Sequence, residues 1–130
     1  MKKILILIFM LVAINVGAQT NNDNKVYFSP DTNVTYRLFK TQNMHIFIKL
    51  NTSNGTMKLV QFSTSNTRDM MQADLSDIEL ATGAEAKSGR FYLYPTDNFY
   101  TFLLLDQIDG RVWQVQWSTD PENRGVLRIY

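Results

Sequence analysis

Few side chains in this chain could do chemistry. His45 is the only histidine and there is no cysteine, so thiolate nucleophiles and metal sites built on cysteine or several imidazoles are excluded by number. His45 stands in a strand-like stretch with no acid or hydroxyl at the spacing of a nucleophile and its base, so no Ser-His-Asp constellation is set up. It is expected as a half-exposed sheet residue. Asp106 and Asp109 lie just before Gly110, but the dense alternating oxygen ligands of an EF-hand loop are missing, and a hairpin turn accounts for them. Glu79, Glu85 and Glu122 all fall in connections, whereas glycoside cleavage needs two carboxyls facing each other across a cleft. The expectation is a protein that is not an enzyme and holds no cofactor or metal. A small hydrolase is the weakest of the alternatives.

The other chemistry available is contact chemistry. Tyr100, Trp113 and Trp117, with Gln114 and Gln116 between and beside them, combine apolar rings with amides. Such a set suits a flat ligand surface for a sugar ring or a partner protein. The competing expectation is that these aromatics are core, which is where large rings more often sit. The first makes the chain a binding or interaction module with a protein or glycan partner. The second leaves a purely structural or inhibitor-like envelope protein.

What must position these residues is a repeat. Tyr36 to Thr64 recurs as Phe91 to Thr119 at a constant offset of 55 residues, with ten identities in 29 positions and no gap. Leu38/Leu93, Phe47/Phe102, Gly55/Gly110 and Val60/Val115 are among the identical pairs. Concentration of the identities at apolar and turn positions argues for duplication of one structural unit. Each copy reads as three strands, about 35–40, 44–50 and 56–63 in the first and 90–94, 99–106 and 111–118 in the second. Between them, Thr67 to Leu80 admits a three-turn helix, but its apolar positions fit helical spacing only in part. The extended reading is preferred, with a fourth strand near Met70 to Leu75 and a short one near Ile78 to Leu80, paralleled by the tail Arg124 to Tyr130.

Asp106 and Gly110 open and close a turn, and Asn51 and Gly55 repeat that chemistry. With residues 107–110 as the loop, Leu104 faces Trp113, Phe102 faces Val115 and Tyr100 faces Trp117. This register puts the substitutions His45/Tyr100, Lys49/Leu104 and Lys58/Trp113 on one face. The opposite face carries Ile46, Ile48, Leu50, Met57 and Leu59 in one copy and Leu103, Leu105 and Val112 in the other, and is expected to be the core of both. The sequons at Asn33, Asn51 and Asn54 read as polar loop and turn residues.

Met1-Lys2-Lys3, the apolar run from Ile4 to Ile14 and Val16-Gly17-Ala18 have the pattern of a cleavable secretory signal over residues 1–18. The run is shorter than the roughly 18 to 20 residues of a membrane span, so no span is expected after cleavage. Loss of Lys2 and Lys3 leaves 11 basic against 12 acidic residues. A near-neutral chain has no electrostatic footprint for nucleic acid. The expected location is periplasmic or extracellular, with stability supplied by packing and sheet pairing rather than disulfides. Residues 19–34 are expected as a polar arm with a short apolar strand at Val26 to Phe28, residues 35–89 as unit 1 with its connection, and residues 90–130 as unit 2, together one domain.

The segments Arg90 to Asn98, Phe102 to Asp106 and Gly110 to Ser118 resemble a motif of small, uncharacterised exported bacterial proteins, in which L-D-x-x-x-G-R-x-W closes a hairpin. Copy 1 departs from it, with Thr56-Met57-Lys58 in place of Arg111-Val112-Trp113. The resemblance implies a recurring β-hairpin module and brings no activity with it. The fold class expected is all-β: two related antiparallel meanders of three to four strands, packed with pseudo-twofold symmetry as a small sandwich or barrel-like sheet pair.

Overall fold

The computed structural model describes residues 31–130. The expected signal segment, the polar arm up to Lys25 and the strand at Val26 to Phe28 lie outside the described residues. The chain is all-β. It forms two four-stranded antiparallel sheets, each an up-and-down meander in which sequence neighbours pair. Sheet 1 consists of β1 (Tyr36–Lys40), β2 (Ile46–Asn51), β3 (Met57–Gln61) and β4 (Met71–Ser76). Sheet 2 consists of β5 (Phe91–Pro95), β6 (Thr101–Asp106), β7 (Val112–Gln116) and β8 (Gly125–Ile129). The extended reading of the connection holds for β4. Ile78 to Leu80, expected as a short strand, is loop instead. Leu80 N–H is used outside any ladder, donating to the Asn54 carbonyl in the first hairpin turn at 2.7 Å.

The hairpin registers follow the turn chemistry. Leu104 pairs with Trp113 and Phe102 with Val115, and Lys49 pairs with Lys58 and Phe47 with Val60 in the other copy. In each turn the first side chain accepts the amide two residues on, Asn51 from Ser53 at 3.0 Å and Asp106 from Ile108 at 3.0 Å. Gly55 and Gly110 then return the chain with φ of 82° and 74°, a region side chains with a Cβ rarely adopt. Thr52 fastens the copies together. Its hydroxyl accepts Gly89 N–H at 2.9 Å and its carbonyl accepts Phe91 N–H at 2.8 Å, tying the end of β2 to the start of β5.

One core lies between the sheets, and its composition corrects the expectation of a shared buried face. Sheet 1 contributes Phe39, Ile46, Ile48, Leu50, Met57, Leu59 and Leu75. Sheet 2 contributes Phe91, Leu93, Phe102, Leu104, Trp113, Val115 and Trp117. Strand alternation assigns these to opposite faces of the repeated unit: the copy 1 counterparts of Phe102, Leu104 and Trp113 are Phe47, Lys49 and Lys58, which lie on sheet 1's outer side. Leu103, Leu105 and Val112, expected in the core, are only partly covered on sheet 2's outer side. The two copies therefore meet front to back. A twofold axis relating them would bury the same face of each, so the expected pseudo-twofold relation does not describe the packing.

Candidate interaction surface

Alternation within β7 decides the fate of the aromatic platform. Trp113 is 7% exposed and Trp117 1%, and both belong to the core. Gln114 and Gln116 point to the other side of the same strand and are exposed. Tyr100 stays half exposed at the sheet end, its ring 5.1 Å from that of Trp117. The five residues therefore do not form one surface, and the core expectation is the one the packing meets for the tryptophans. Trp117 satisfies its indole N–H by donating to the Phe99 carbonyl at 3.1 Å. Trp113 is flanked by the guanidinium groups of Arg111 and Arg128 at 5.1 and 5.0 Å from its ring centre.

The most strongly polarised group in the described residues is Asp106. It is fully buried. Arg90 donates to it from Nε at 3.1 Å and Nη2 at 2.9 Å, and Arg111 from Nη2 at 2.9 Å. Burial alone would push this carboxyl up, but the hydrogen bonds from Arg90, from the amides of Asp109 and Ile108, and from Arg111 outweigh it and hold it well below the usual carboxylate range. The hydrogen bond to Asp106 raises the Arg90 guanidinium in turn, against the opposing effect of burial. Asp106 accepts from every one of these donors and faces no opening, which makes it the ionic hub of a turn rather than an acid or base for catalysis. Arg90 has Thr35 at its place in copy 1, Asp106 has Asn51 and Arg111 has Thr56, so this hub belongs to the second copy alone.

His45 sits in the turn before β2, its ring 5.2 Å from Phe62, with a buried Nδ1 that has no hydrogen-bond partner in the structure. Among the described residues no hydrogen bond to a carboxylate or hydroxyl holds its Nδ1. Glu79 lies 3.4 Å from the Asn54 amide, while Glu122 is in the short 3-10 turn before β8, so the acids are not paired. Among the described residues no group of three or more His, Asp or Glu is placed to hold a metal ion. No helix among them is long and apolar enough to cross a membrane.

The surface feature that stands out is the outer side of sheet 2. Tyr94, Thr101, Leu103, Leu105, Val112, Gln114, Gln116, Leu127 and Ile129 alternate onto it, and none is charged, while Tyr92 at its β5 edge packs against the core ring of Phe39 at 5.3 Å. Leu127 is 66% exposed and Ile129 46%. An uncharged, largely apolar sheet face on one side of a small domain is unusual unless something covers it. The outer side of sheet 1 differs in kind. Tyr36 and Leu38 are exposed there beside Lys49 and Lys58, with Lys58 paired to Asp74 at 2.8 Å. A cleft of about 960 Å³ runs from Tyr36 and Lys49 past Asn51 and Asn54 to Asp74 and Glu79.

The signal that separates the two outer sides was present in the repeat. Ile46 has Thr101 as its counterpart and Leu59 has Gln114, two losses of apolar character on the face expected to be core in both copies. No protein-family model matches the chain, and no curated protein or solved structure shows significant similarity to it. The class the fold and surface define is an all-β protein of two similar four-stranded sheets, with one apolar and one mixed outer face.

Proposed function

We propose that the protein is a non-catalytic interaction module, exported from the cell, that binds a partner protein through the outer side of sheet 2. The observation that carries this reading is the uncharged outer face on which Tyr94, Leu127 and Ile129 are exposed and Leu103, Leu105 and Val112 partly covered. Its strands are fixed by three hydrogen-bonded ladders. A partner therefore meets a preformed surface and loses little entropy in ordering it. The partner chemistry that fits is another apolar protein face, since the outer side of sheet 2 carries no charged strand residue to recognise a phosphate, a nucleic acid or a charged peptide.

A direct test compares retention of envelope and extracellular proteins by the immobilised wild type and by the double variant Leu127→Glu/Ile129→Glu. The reading expects specific partners to be lost from the variant. Identical retention by both would overturn it.

A second reading is favoured by the cleft beside Tyr36. An exposed aromatic ring next to Asn51, Asn54, Asp74 and Glu79 offers a stacking surface with hydrogen-bonding groups around it, the combination that suits a sugar. Glycan binding that is abolished by Tyr36→Ala and untouched by the Leu127→Glu/Ile129→Glu change would transfer the function to sheet 1.

A further inference from the structure

The front-to-back packing of the two copies has a consequence for what the outer faces can bind. Inside the chain, the face of unit 1 bearing Ile48 and Leu50 lies on the face of unit 2 bearing Leu104 and Trp113. What remains unpaired is the first kind of face on unit 2 and the second kind on unit 1. The outer side of sheet 2 holds Leu103 and Leu105, the counterparts of Ile48 and Leu50, while the outer side of sheet 1 holds Leu38 and Phe47, the counterparts of the core residues Leu93 and Phe102. The free faces thus keep part of the complementary pair that makes the core, Tyr36, Leu38, Phe47 and Val60 on sheet 1 and Tyr94, Leu103, Leu105 and Val112 on sheet 2, while Lys49, Lys58, Thr101 and Gln114 replace the apolar residues at the other positions.

We propose that the partner is a second copy of this chain, stacked so that sheet 2 of one copy lies on sheet 1 of the next and repeats the internal packing between molecules. The proposal rests on the interaction reading of the sheet 2 face and names its partner. Charge is compatible with this contact. Lys58 is paired with Asp74 at 2.8 Å and Lys49 bonds to Gln72, and these two with Lys40 are the lysines on the sheet 1 side, which meets a sheet 2 side that carries no charge of its own. Like-charge repulsion is therefore absent. Pairing of two sheet 2 faces about a twofold axis, the simplest competitor, would use a combination of faces that occurs nowhere inside the chain and would leave Tyr36 and Leu38 open.

Contacts between unlike faces do not saturate in a pair. They close into a ring where the rotation per step allows it and otherwise extend. Radial stacks of four-stranded meanders close with typically four to eight sheets, which at two sheets per chain means about two to four copies.

The test uses the protein as the cell exports it and reads its mass in solution by sedimentation across a wide concentration range. The wild type is expected to assemble, while Leu127→Glu/Ile129→Glu and Tyr36→Glu/Leu38→Glu are each expected to be monomeric with unchanged far-ultraviolet circular dichroism. Mixing the two variants restores one intact contact and is expected to yield a one-to-one pair and nothing larger. A cysteine-free chain allows a second measurement with milder changes: the internal contact of β2 with β5, repeated between molecules, brings β6 of one copy to β1 of the next, so Leu38→Cys mixed with Leu103→Cys and oxidised is expected to give the mixed disulfide in excess over either like pair.

A wild type that stays monomeric throughout would overturn self-stacking while leaving open an unlike partner for the sheet 2 face. Persistence of assembly in Tyr36→Glu/Leu38→Glu, or an excess of like cysteine pairs, would overturn front-to-back stacking in favour of a symmetric dimer.

Discussion

The two sheets are built from copies of one unit yet turn opposite sides inward. Leu38 and Leu93 are the same residue at the same place in the repeat, and one is 52% exposed while the other is fully buried. Tyr36 and Phe91 differ in the same sense, and Phe39 and Tyr94 in the reverse sense. Duplication thus preserved strand order and turn geometry while the environment of each face was reassigned. The substitutions follow that reassignment: the side that faces water in sheet 1 carries Lys49 and Lys58, where the buried side of sheet 2 carries Leu104 and Trp113. The side buried in sheet 1 holds Leu59, where sheet 2 exposes Gln114.

Matched substitutions in the two copies should therefore give unmatched results. Trp113→Ala is expected to destabilise the fold by about 3–5 kcal/mol through the lost burial and the cavity it leaves, measured by urea unfolding. Lys58→Ala, at the equivalent position, removes only an exposed ion pair and is expected to cost about 0–1 kcal/mol. Equal costs would mean that the two positions share one environment.

The turns sharpen the comparison further. Asp106→Ala leaves Arg90 buried without its partner and is expected to cost about 3–5 kcal/mol. Asn51→Ala forfeits the neutral version of the same turn, at about 1 kcal/mol. The ionic hub also predicts acid sensitivity. Because the Asp106 carboxyl is held below its unfolded value, the unfolded chain binds the extra proton first. Its contribution is complete above the ordinary aspartate pKa of about 3.9 and is lost as pH falls below that value toward the lower folded one. Unfolding free energies measured between neutral pH and pH 2 should fall less steeply for Asp106→Asn than for the wild type, and parallel curves would remove Asp106 from the acid response. A smaller optical effect completes the set. Emission from Trp113 and Trp117 is expected to be blue-shifted and poorly quenched by acrylamide, and a red-shifted, readily quenched spectrum would place them in water.

Strands and registers were legible in the sequence because local chemistry sets them. An Asx residue and a glycine four positions apart in each hairpin determine where the chain turns, and the two-residue alternation then determines which side chains share a face. Which face turns inward is not a local property. Both sides of each unit carry enough apolar residues to be buried, Tyr36, Leu38, Phe47 and Val60 on one and Phe39, Ile46, Ile48 and Leu50 on the other. The choice depends on what each sheet is stacked against. The assumption that like copies bury like faces led to Leu103, Leu105 and Val112 being expected in the core. The platform of Tyr100, Trp113 and Trp117 with Gln114 and Gln116 could not have been one surface, because neighbours in a strand point to opposite sides.

Identical residues of the repeat occupy opposite environments, Leu93 in the core and Leu38 on an outer face. Leu38→Ala and Leu93→Ala make the same chemical change at equivalent positions, so their unfolding free energies in dilute solution isolate environment from residue type. Leu93→Ala is expected to lose about 2–5 kcal/mol and Leu38→Ala no more than about 0.5 kcal/mol. Equal losses, or a larger loss at Leu38, would contradict front-to-back packing of the two copies.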